Sequence, residues 1–243
     1  MSLEPEATVG IDRVRFAWRH GQRDVLDIVH FAVAAGERVF IEGPSGSGKS
    51  SLLSLIGGVT SPREGSIRIL GADLVRMPSR HRDRFRADHV GFVFQMFNLV
   101  PYLSMVDNVT LPCRFSRRRR ERAGAQTGTP EAEARRLLAR LGLDRDGLFE
   151  RTVTDLSIGQ QQRVAAARAL IGAPELIVAD EPTSALDEGA RGRFLELLST
   201  QCDEAGASLL LASHDPRLGD AFDRRVSLPE LNRAESDPNR RAA

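Results

Sequence analysis

Short apolar runs alternate along the chain with longer stretches in which apolar and polar residues mix. Four of the runs predict strands: ERVFIEG (37–43), VGFVFQ (90–95), LIVA (176–179) and SLLLA (208–212). The LIVA run has no polar position, as expected of a strand that is buried on both faces of a parallel sheet. The pattern therefore predicts several buried strands spread over the chain.

Three longer stretches predict helices. KSSLLSLIGG (49–58) follows the first strand, and DLSIGQQQRVAAARAL (155–170) turns helical after Ser157, a good N-cap residue. In EAEARRLLARLGL (131–143), the helical period places four residues on one apolar face: Ala134, Leu137, Leu138 and Leu141. Strands and helices that alternate in this way indicate an α/β fold.

The chain is long enough for one large domain or for one domain with an inserted lobe. We expect a strand–helix core over residues 1–95 and 159–232, and an inserted, mainly helical lobe over residues 96–158. Residues 233–243 are polar and predict a disordered tail. The sequence contains no internal repeat, so we expect residues 1–232 to form a single domain.

Composition excludes some classes of function. The 243 residues are 41% hydrophobic and 28% charged with a formal net charge of +1, so no nucleic-acid partner is expected. Cys113 and Cys202 lack metal-ligand spacing, which argues against zinc or disulfide chemistry. The first ten residues lack the basic and apolar regions of a signal peptide, and no apolar stretch reaches the ~20 residues of a membrane span.

The stretch IEGPSGSGKSS (41–51) carries the first chemical pattern. It matches G-x-x-x-x-G-K-[ST] between a predicted strand and a predicted helix, where backbone N–H groups wrap phosphate oxygens. Lys49 is the only lysine among 34 lysines and arginines, and a compact ammonium suits the β- and γ-phosphates better than a guanidinium. Ser50 would hold Mg²⁺. The alternative is a glycine-rich turn before an unrelated helix.

Polar residues follow three of the predicted strands. Asp180 would hold Mg²⁺ through water and Glu181 would be the general base on the attacking water, unless both belong to a surface turn announced by Pro182. His214 would sense the γ-phosphate, although a single histidine after a strand is usually structural. Gln95 would meet the metal or the water, or would only be the polar end of its strand.

The helix start at Ser157 is a candidate anion site. First-turn N–H groups and the positive end of the helix dipole favour an anion. Ser157 and the amides of Gly159 and Gln160 offer donors with no acid, metal-ligand cluster or nucleophile–base pair beside them. An N-capped core helix is the simpler alternative.

Five stretches, in chain order, resemble the motifs of ATP-binding cassette ATPases: GPSGSGKS, FVFQ, LSIGQQQR, VADEPTSALD and ASHD. The resemblance covers about residues 9–224. GFVFQMFNLVPYLSMVDNVTLP and EPTSALD are most similar to the ATPase subunits of lipoprotein-releasing, macrolide-exporting and cell-division-linked complexes. The resemblance implies a P-loop NTPase (RecA-like) core with a mainly parallel sheet, an N-terminal antiparallel β region and an inserted helical lobe. It also implies an ATPase that uses ATP and Mg²⁺.

The resemblance assigns roles by position. It implies that Gln95 binds the metal or the water and that Asp180 binds Mg²⁺. It also implies that Glu181 is the catalytic base and that His214 is the switch residue. It places Asp187 in a dimer-contacting loop. The residues implied to hold the phosphates are Gly43, Pro44, Ser45, Gly46, Ser47, Gly48, Lys49, Ser50 and Ser51. The family also places an adenine-stacking ring near Trp18, the only tryptophan, which could instead pack in the core.

Cassette ATPases pair head to tail, so the resemblance implies a homodimer. Ser157, Gly159 and Gln160 would then meet the γ-phosphate held by the other subunit. The family pattern Leu-Ser-Gly-Gly-Gln has Ile158 in place of its first glycine in this chain. A β-branched residue is strained at positive φ, so we expect an ordinary negative φ at Ile158.

Two further stretches bear on partners. MFNLVPYLSM (96–105) is either core of the lobe or the border of a groove for a membrane subunit's coupling helix, with Phe97 and Leu99 as candidate contacts. RFSRRRRER (114–122), which contains Arg117–Arg120, is either a solvated face or lies against anionic lipid headgroups. Nucleic acid is less supported, because aromatic residues do not alternate with the basic residues of this run.

The leading hypothesis is the ATP-hydrolysing subunit of a membrane transporter or mechanotransmission complex. It would act as a homodimer, peripheral on the cytoplasmic face of the inner membrane, beneath a transmembrane permease subunit encoded separately. One alternative is a soluble cassette ATPase of DNA repair or translation. The other is a regulatory module with little turnover, against which Asp180, Glu181 and His214 argue.

Overall fold

The computed structural model describes residues 7–19, 23–144, 149–184 and 186–235. The chain divides into two compact units, a first unit of Met1–Asp83 with Leu210–Ala243 and a second unit of Arg84–Leu209. The strands are β1 (Ala7–Phe16), β2 (Leu26–Ala34), β3 (Arg38–Glu42), β4 (Glu64–Ile69), β5 (Ala72–Asp73), β6 (Val90–Val93), β7 (Leu176–Asp180), β8 (Ser208–Ser213) and β9 (Arg224–Ser227). The α-helices are α1 (Lys49–Ile56), α2 (Ser79–His89), α3 (Met105–Phe115), α4 (Arg117–Thr127), α5 (Pro130–Arg140), α6 (Ile158–Leu170), α7 (Glu188–Ala205) and α8 (Leu228–Leu231).

An antiparallel sheet forms part of the first unit, with the strand order β2-β1-β4-β5. Gly10 of β1 pairs with Ala32 of β2 on one side and with Arg68 of β4 on the other. This sheet is the predicted N-terminal antiparallel region. In the same unit β3 and β9 pair in parallel, with Val39 opposite Arg224.

The predicted strand–loop–helix around the lysine is present in the first unit. Strand β3 is apolar at its three central positions, which are fully buried, and α1 starts seven residues after β3 ends. Leu52, Leu55 and Ile56 bury one face of α1 completely. This burial fixes the direction of the helix and therefore of the loop that precedes it.

In the second unit, β6 and β7 pair in parallel, with Gly91 opposite Ile177. Strand β6 ends at Val93, so Gln95 lies in the turn that follows rather than at the end of the strand. Helix α6 passes close to β6, because a Cβ on Gly91 would lie 2.2 Å from the carbonyl oxygen of Ala169. Only glycine permits this approach.

Helices α3, α4 and α5 lie within residues 96–158, the stretch predicted as an inserted lobe. The predicted apolar face of α5 is confirmed, because Ala134, Leu137, Leu138 and Leu141 are all at most 4% exposed. The segment MFNLVPYLSM (96–105), which leads into α3, differs from the prediction in which of its apolar side chains are exposed. Phe97 is buried and Leu99 is half-buried, whereas the exposed apolar side chains there are those of Met96 and Tyr102.

The prediction that RFSRRRRER is a solvated or lipid-facing run is wrong for Arg119. The run lies largely on α4, and Arg119 points into the protein with 2% of its surface exposed. Its guanidinium donates to the carbonyl oxygens of Ile171 at 2.7 Å and Ala169 at 2.5 Å. Burial lowers the pKa of Arg119 to about 10, which still leaves it charged at neutral pH.

Neighbouring arginines of α4 are paired as well. Arg118 and Arg122 both contact the carboxylate of Glu175, and His89 contacts its other oxygen at 2.9 Å. Burial raises the pKa of Glu175, but hydrogen bonds from His89 and Arg118 outweigh it and lower the pKa to about 2. Much of the positive charge of this helix is therefore neutralised inside the second unit.

The end of the described chain is partly ordered. Arg233–Glu235 form a short 3-10 helix, and the rest of the predicted tail, residues 236–243, lies outside the described residues. Within the described ranges, no helix combines the length and apolar character that crossing a bilayer requires.

Candidate functional site

The loop between β3 and α1, residues Gly43–Ser51, is called the phosphate loop here. The ammonium of Lys49 folds back over it and donates to the carbonyl oxygens of Gly43 at 2.7 Å and Pro44 at 3.1 Å. Lys49 is only 6% exposed. Gly46 and Gly48 have φ angles of 84° and 102°, which a side chain rarely permits. The loop is therefore a compact turn closed by a lysine.

Two observations indicate that this loop fits a phosphate chain. A Cβ on Gly43 would lie 2.7 Å from the Oγ atom of Ser47, so glycine leaves the inside of the loop to backbone groups. The Ser47 hydroxyl is buried without a hydrogen-bond partner in the described residues. A buried hydroxyl without a partner, in the same loop as the Lys49 ammonium, suits an anionic ligand with several oxygen acceptors.

The acidic pair lies in the second unit at the end of β7. Leu176, Ile177, Val178 and Ala179 are at most 1% exposed, which confirms the strand, and Asp180 is its half-buried last residue. Glu181 has a φ of 45°, in the left-handed region that non-glycine residues seldom occupy. Such backbone strain typically costs about 1–3 kcal/mol and is common at functional positions. It turns Glu181 sharply away from the strand direction.

His214 lies in the first unit, directly after the buried end of β8. It is exposed, and the chain turns immediately behind it, because Asp215 caps a short 3-10 helix and accepts a bond from the backbone of Arg217 at 3.2 Å. The turn therefore leaves His214 at the exposed end of the strand.

Gln95 and the three residues after it, Gln95–Asn98, are called the glutamine segment here. Gln95 is exposed in the turn after β6. Phe97 and Asn98 both have positive φ, 58° and 48°. Arg168 of α6 donates to the carbonyl oxygens of Phe97 at 2.5 Å and Asn98 at 2.6 Å. The sequence pointed to Gln95 but not to Arg168, whose only signal is a charge within the apolar run VAAARAL.

Helix α6, the signature helix, begins as predicted after Ser157, and the structure corrects one detail of its anion site. The Ser157 hydroxyl accepts from the Gln160 amide at 3.3 Å, and the Gln160 side chain accepts from the Ser157 amide at 2.8 Å. This capping box engages the Gln160 amide, which was expected to have no local acceptor. Ile158 is the first helical residue, so its expected negative φ is confirmed.

Trp18 is 59% exposed, so the alternative of a core tryptophan is wrong. Its ring forms a T-shaped contact with that of Phe16, with centroids 5.1 Å apart. Asp187, implied to lie in a dimer-contacting loop, is exposed and caps α7 by accepting from the Ala190 amide at 2.8 Å.

The first unit thus holds Trp18, the phosphate loop and His214. The second unit holds Gln95, the start of the signature helix at Ser157 and the acidic pair of Asp180 and Glu181. Every residue predicted for the site lies in a described part of the chain. Each of the three local arrangements has a physical form that suits nucleotide chemistry: a phosphate cradle, a strand-terminal carboxylate pair and a capped helix start.

Comparisons with known proteins identify the family. The family model described as ABC transporter matches residues 26–184. An uncharacterised ABC transporter ATP-binding protein of Mycobacterium tuberculosis is 40% identical over 241 residues, covering 95% of this chain and 93% of its own. The lipoprotein-releasing system ATP-binding protein LolD of Anaeromyxobacter dehalogenans is 41% identical over 218 residues, covering 90% and 88%.

A multidomain relative and a solved structure agree with these matches. The macrolide export ATP-binding/permease protein MacB 1 of Aeromonas hydrophila is 37% identical, covering 93% of this chain but only 34% of its own. The structure of an ATP-binding cassette, solved as a dimer in a post-hydrolysis state bound to ADP and Pi, is 34% identical. It superposes with a TM-score of 0.79, covering 93% of this chain and 95% of the other. The chain therefore belongs to the ABC transporter family, as an ATP-binding subunit with the P-loop NTPase fold that hydrolyses ATP.

Proposed function

We propose that this chain powers a membrane complex as a homodimer, peripheral on the cytoplasmic face of the inner membrane and bound to a transmembrane permease subunit encoded separately. The ATP-dependent part of this proposal rests on one observation. In the phosphate loop, the Lys49 ammonium bonds to the carbonyl oxygens of Gly43 and Pro44. Relatives named for lipoprotein release and macrolide export support the membrane part, as does a related cassette solved as a dimer. These relatives do not favour the soluble alternative in repair or translation.

In this proposal, the amides of Gly43–Ser51 and the Lys49 ammonium bind the β- and γ-phosphates of ATP. Ser50, Gln95 and Asp180 would hold Mg²⁺, which would supply positive charge to the phosphate oxygens when bound. Glu181 takes a proton from the attacking water, and His214 donates a hydrogen bond to the γ-phosphate. The exposed hydroxyl of Ser50 and the strand-terminal position of Asp180 support these assignments.

The start of the signature helix serves the other subunit of the dimer. Ser157 and Ile158 are exposed, and a second chain can therefore reach them. Because the capping box already engages the Gln160 amide, the donors assigned to the partner's γ-phosphate are Ser157 and the Gly159 amide. Exposed apolar side chains at Met96 and Tyr102 are the contacts we assign to the membrane subunit, in place of buried Phe97.

Affinity purification of the tagged chain from detergent-solubilised membranes of its own organism tests the membrane proposal. We expect a membrane protein to co-purify in a fixed ratio with the chain. A matched variant, Met96→Ser with Tyr102→Ser, should hydrolyse ATP alone but lose that protein, because it removes exposed apolar contacts only. Recovery of the chain without any membrane protein would overturn the proposal and leave the ATPase assignment intact.

Ser157→Arg should lower the rate of hydrolysis by about 100-fold, the usual cost of losing a donor to transition-state charge. Nucleotide affinity of the monomer should change little, because the phosphate loop is untouched. Steady-state phosphate release across protein concentration measures the effect.

Ile158→Gly is the control. It restores the family pattern at a cost of about 0.5–1 kcal/mol in local order, so its rate should equal or modestly exceed that of the parent. Normal hydrolysis by Ser157→Arg, at a rate per subunit independent of concentration, contradicts the shared site.

Trp18 fluorescence should report ATP binding. An indole that is 59% exposed leaves water when it stacks on adenine, so its emission should shift to shorter wavelength on titration with ATP. Trp18→Phe should bind ATP and give no signal. An unchanged spectrum at saturating ATP, with binding verified by calorimetry, rules out the stacking role.

A further inference from the structure

The signature helix is fixed at its C-terminal end. The carbonyl oxygen of Ala169 lies against Gly91 of β6, where no side chain fits. Arg119 donates to the same oxygen and to that of Ile171, just beyond the helix. These contacts leave little freedom for this end of α6 to shift relative to β6.

Arg168, in the last turn of α6, binds the glutamine segment to this end of the helix. Its two terminal nitrogens donate to consecutive carbonyl oxygens, of Phe97 and Asn98. The guanidinium is planar, so two parallel bonds set the orientation of both peptide groups as well as their position. Burial lowers the pKa of Arg168 to about 10, so the group stays charged at neutral pH.

The backbone that Arg168 binds, at Phe97 and Asn98, has an unusual conformation. Phe97 and Asn98 both have left-handed φ, and the Asn98 amide bonds back to the carbonyl oxygen of Met96 at 2.6 Å. Non-glycine residues adopt such angles only where surrounding contacts hold them. Arg168 supplies contacts on both residues, two and three positions after Gln95. A change in the position of Gln95 therefore displaces the two carbonyl groups that Arg168 binds.

The other end of the same helix carries Ser157. Helix α6 has 13 residues, and at 1.5 Å per residue it spans about 20 Å. Arg168 stands near its C-terminal end and Ser157 caps its N-terminal end. A helix of this length transmits displacement as a rigid rod, since its hydrogen bonds resist stretching and bending.

We propose that Arg168 is a positioning residue that couples the glutamine segment to the signature helix. Engagement of Gln95 by nucleotide sets the angle of α6 and thereby the position of Ser157, and the coupling acts equally in the reverse direction. This rests on the proposed function, because it takes Gln95 and Ser157 as nucleotide-contacting residues. A purely structural Arg168 would stabilise the fold without linking the two.

A double-mutant cycle separates coupling from stability. Arg168→Gln and Gln95→Ala should each lower kcat by about 10-fold and leave KM for ATP within about 2-fold, because the phosphate loop is unchanged. Combined, they should also cost only about 10-fold, whereas independent effects would multiply to roughly 100-fold. Arg122→Gln is the matched control, since Arg122 makes the same kind of bond, to the carbonyl oxygen of Ala173 at 2.6 Å. Its effect should be small and should multiply with that of Gln95→Ala.

Arg168→Lys guards against a folding failure. It keeps the charge, but a single ammonium cannot hold two peptide groups in the fixed geometry of a guanidinium, so kcat should stay lowered while the melting temperature matches that of the parent. A multiplicative Arg168–Gln95 cycle, or full kcat in a folded Arg168→Lys variant, overturns the proposal.

Hydrogen exchange gives a second readout that does not depend on turnover. In a Glu181→Gln background, ATP should slow amide exchange both in the phosphate loop and at the start of α6. Adding Arg168→Gln should abolish the protection at α6 and keep that of the phosphate loop. Protection of both segments in this variant overturns the coupling. If the parent shows no hydrolysis at all, the proposed function fails, while this exchange experiment still decides the coupling.

Discussion

Glu181→Gln should bind ATP as the parent does and lose turnover by at least about 100-fold, within the range that a positioned general base contributes. The amide keeps the size and the hydrogen-bonding oxygen of the side chain but takes up no proton. Glu181 has a left-handed φ, and glutamine matches glutamate in size, so the variant should keep the geometry of the site. Phosphate release and equilibrium ATP binding, measured on the same preparation, separate the two effects.

The same variant should accumulate as an ATP-bound dimer in gel filtration, because ATP that is not hydrolysed stays bound and keeps the two subunits together. Glu188→Gln is the matched control, an exposed acid at the first position of α7 that should leave both rate and association unchanged. Near-normal hydrolysis by Glu181→Gln would end its assignment as the base. A monomeric profile with saturating ATP would count instead against a nucleotide site that is shared between two subunits.

Lys49→Arg should weaken ATP binding almost as much as Lys49→Ala does. The ammonium fits inside the loop with bonds of 2.7 Å and 3.1 Å to two carbonyl oxygens, and only 6% of the residue is exposed. A planar guanidinium is wider and cannot enter without displacing that backbone. Loss of charge-assisted bonds of about 3 kcal/mol corresponds to roughly 100-fold weaker binding.

Isothermal titration calorimetry with ATP measures both variants. The reverse exchange Arg38→Lys, at a pair with Asp223 elsewhere in the first unit, controls for a general cost of exchanging the two residue types. If Lys49→Arg binds ATP like the parent, the sole lysine merely reflects which codons the chain avoids.

The structural elements that the sequence predicted correctly are local in the chain. The phosphate loop is recognisable because strand, glycines, lysine and helix all fall within residues 37–58. The apolar face of α5 and the helical backbone of Ile158 likewise depend on neighbours three or four positions away. The capping box is also visible in the sequence, since Ser157 and Gln160 have the required spacing.

The parts that were missed depend on contacts between distant residues. Arg119 bonds to carbonyl oxygens about 50 positions away, and Arg168 to oxygens about 70 positions away. A run of arginines has no period that distinguishes a buried member from its exposed neighbours. The exposure of Trp18 and the strained φ of Glu181 also follow from tertiary packing, which pattern and propensity do not encode.

The buried ammonium of Lys49 has a practical consequence for chemical labelling. In these 243 residues, amine-reactive esters have one side-chain target, and it is engaged with loop carbonyls rather than exposed to reagent. Acylation needs a neutral, accessible amine, so the yield of label at this position measures how often the loop opens. Mass spectrometry of a single tryptic peptide would follow that opening, and protection by nucleotide would appear as a slower rate at one defined site.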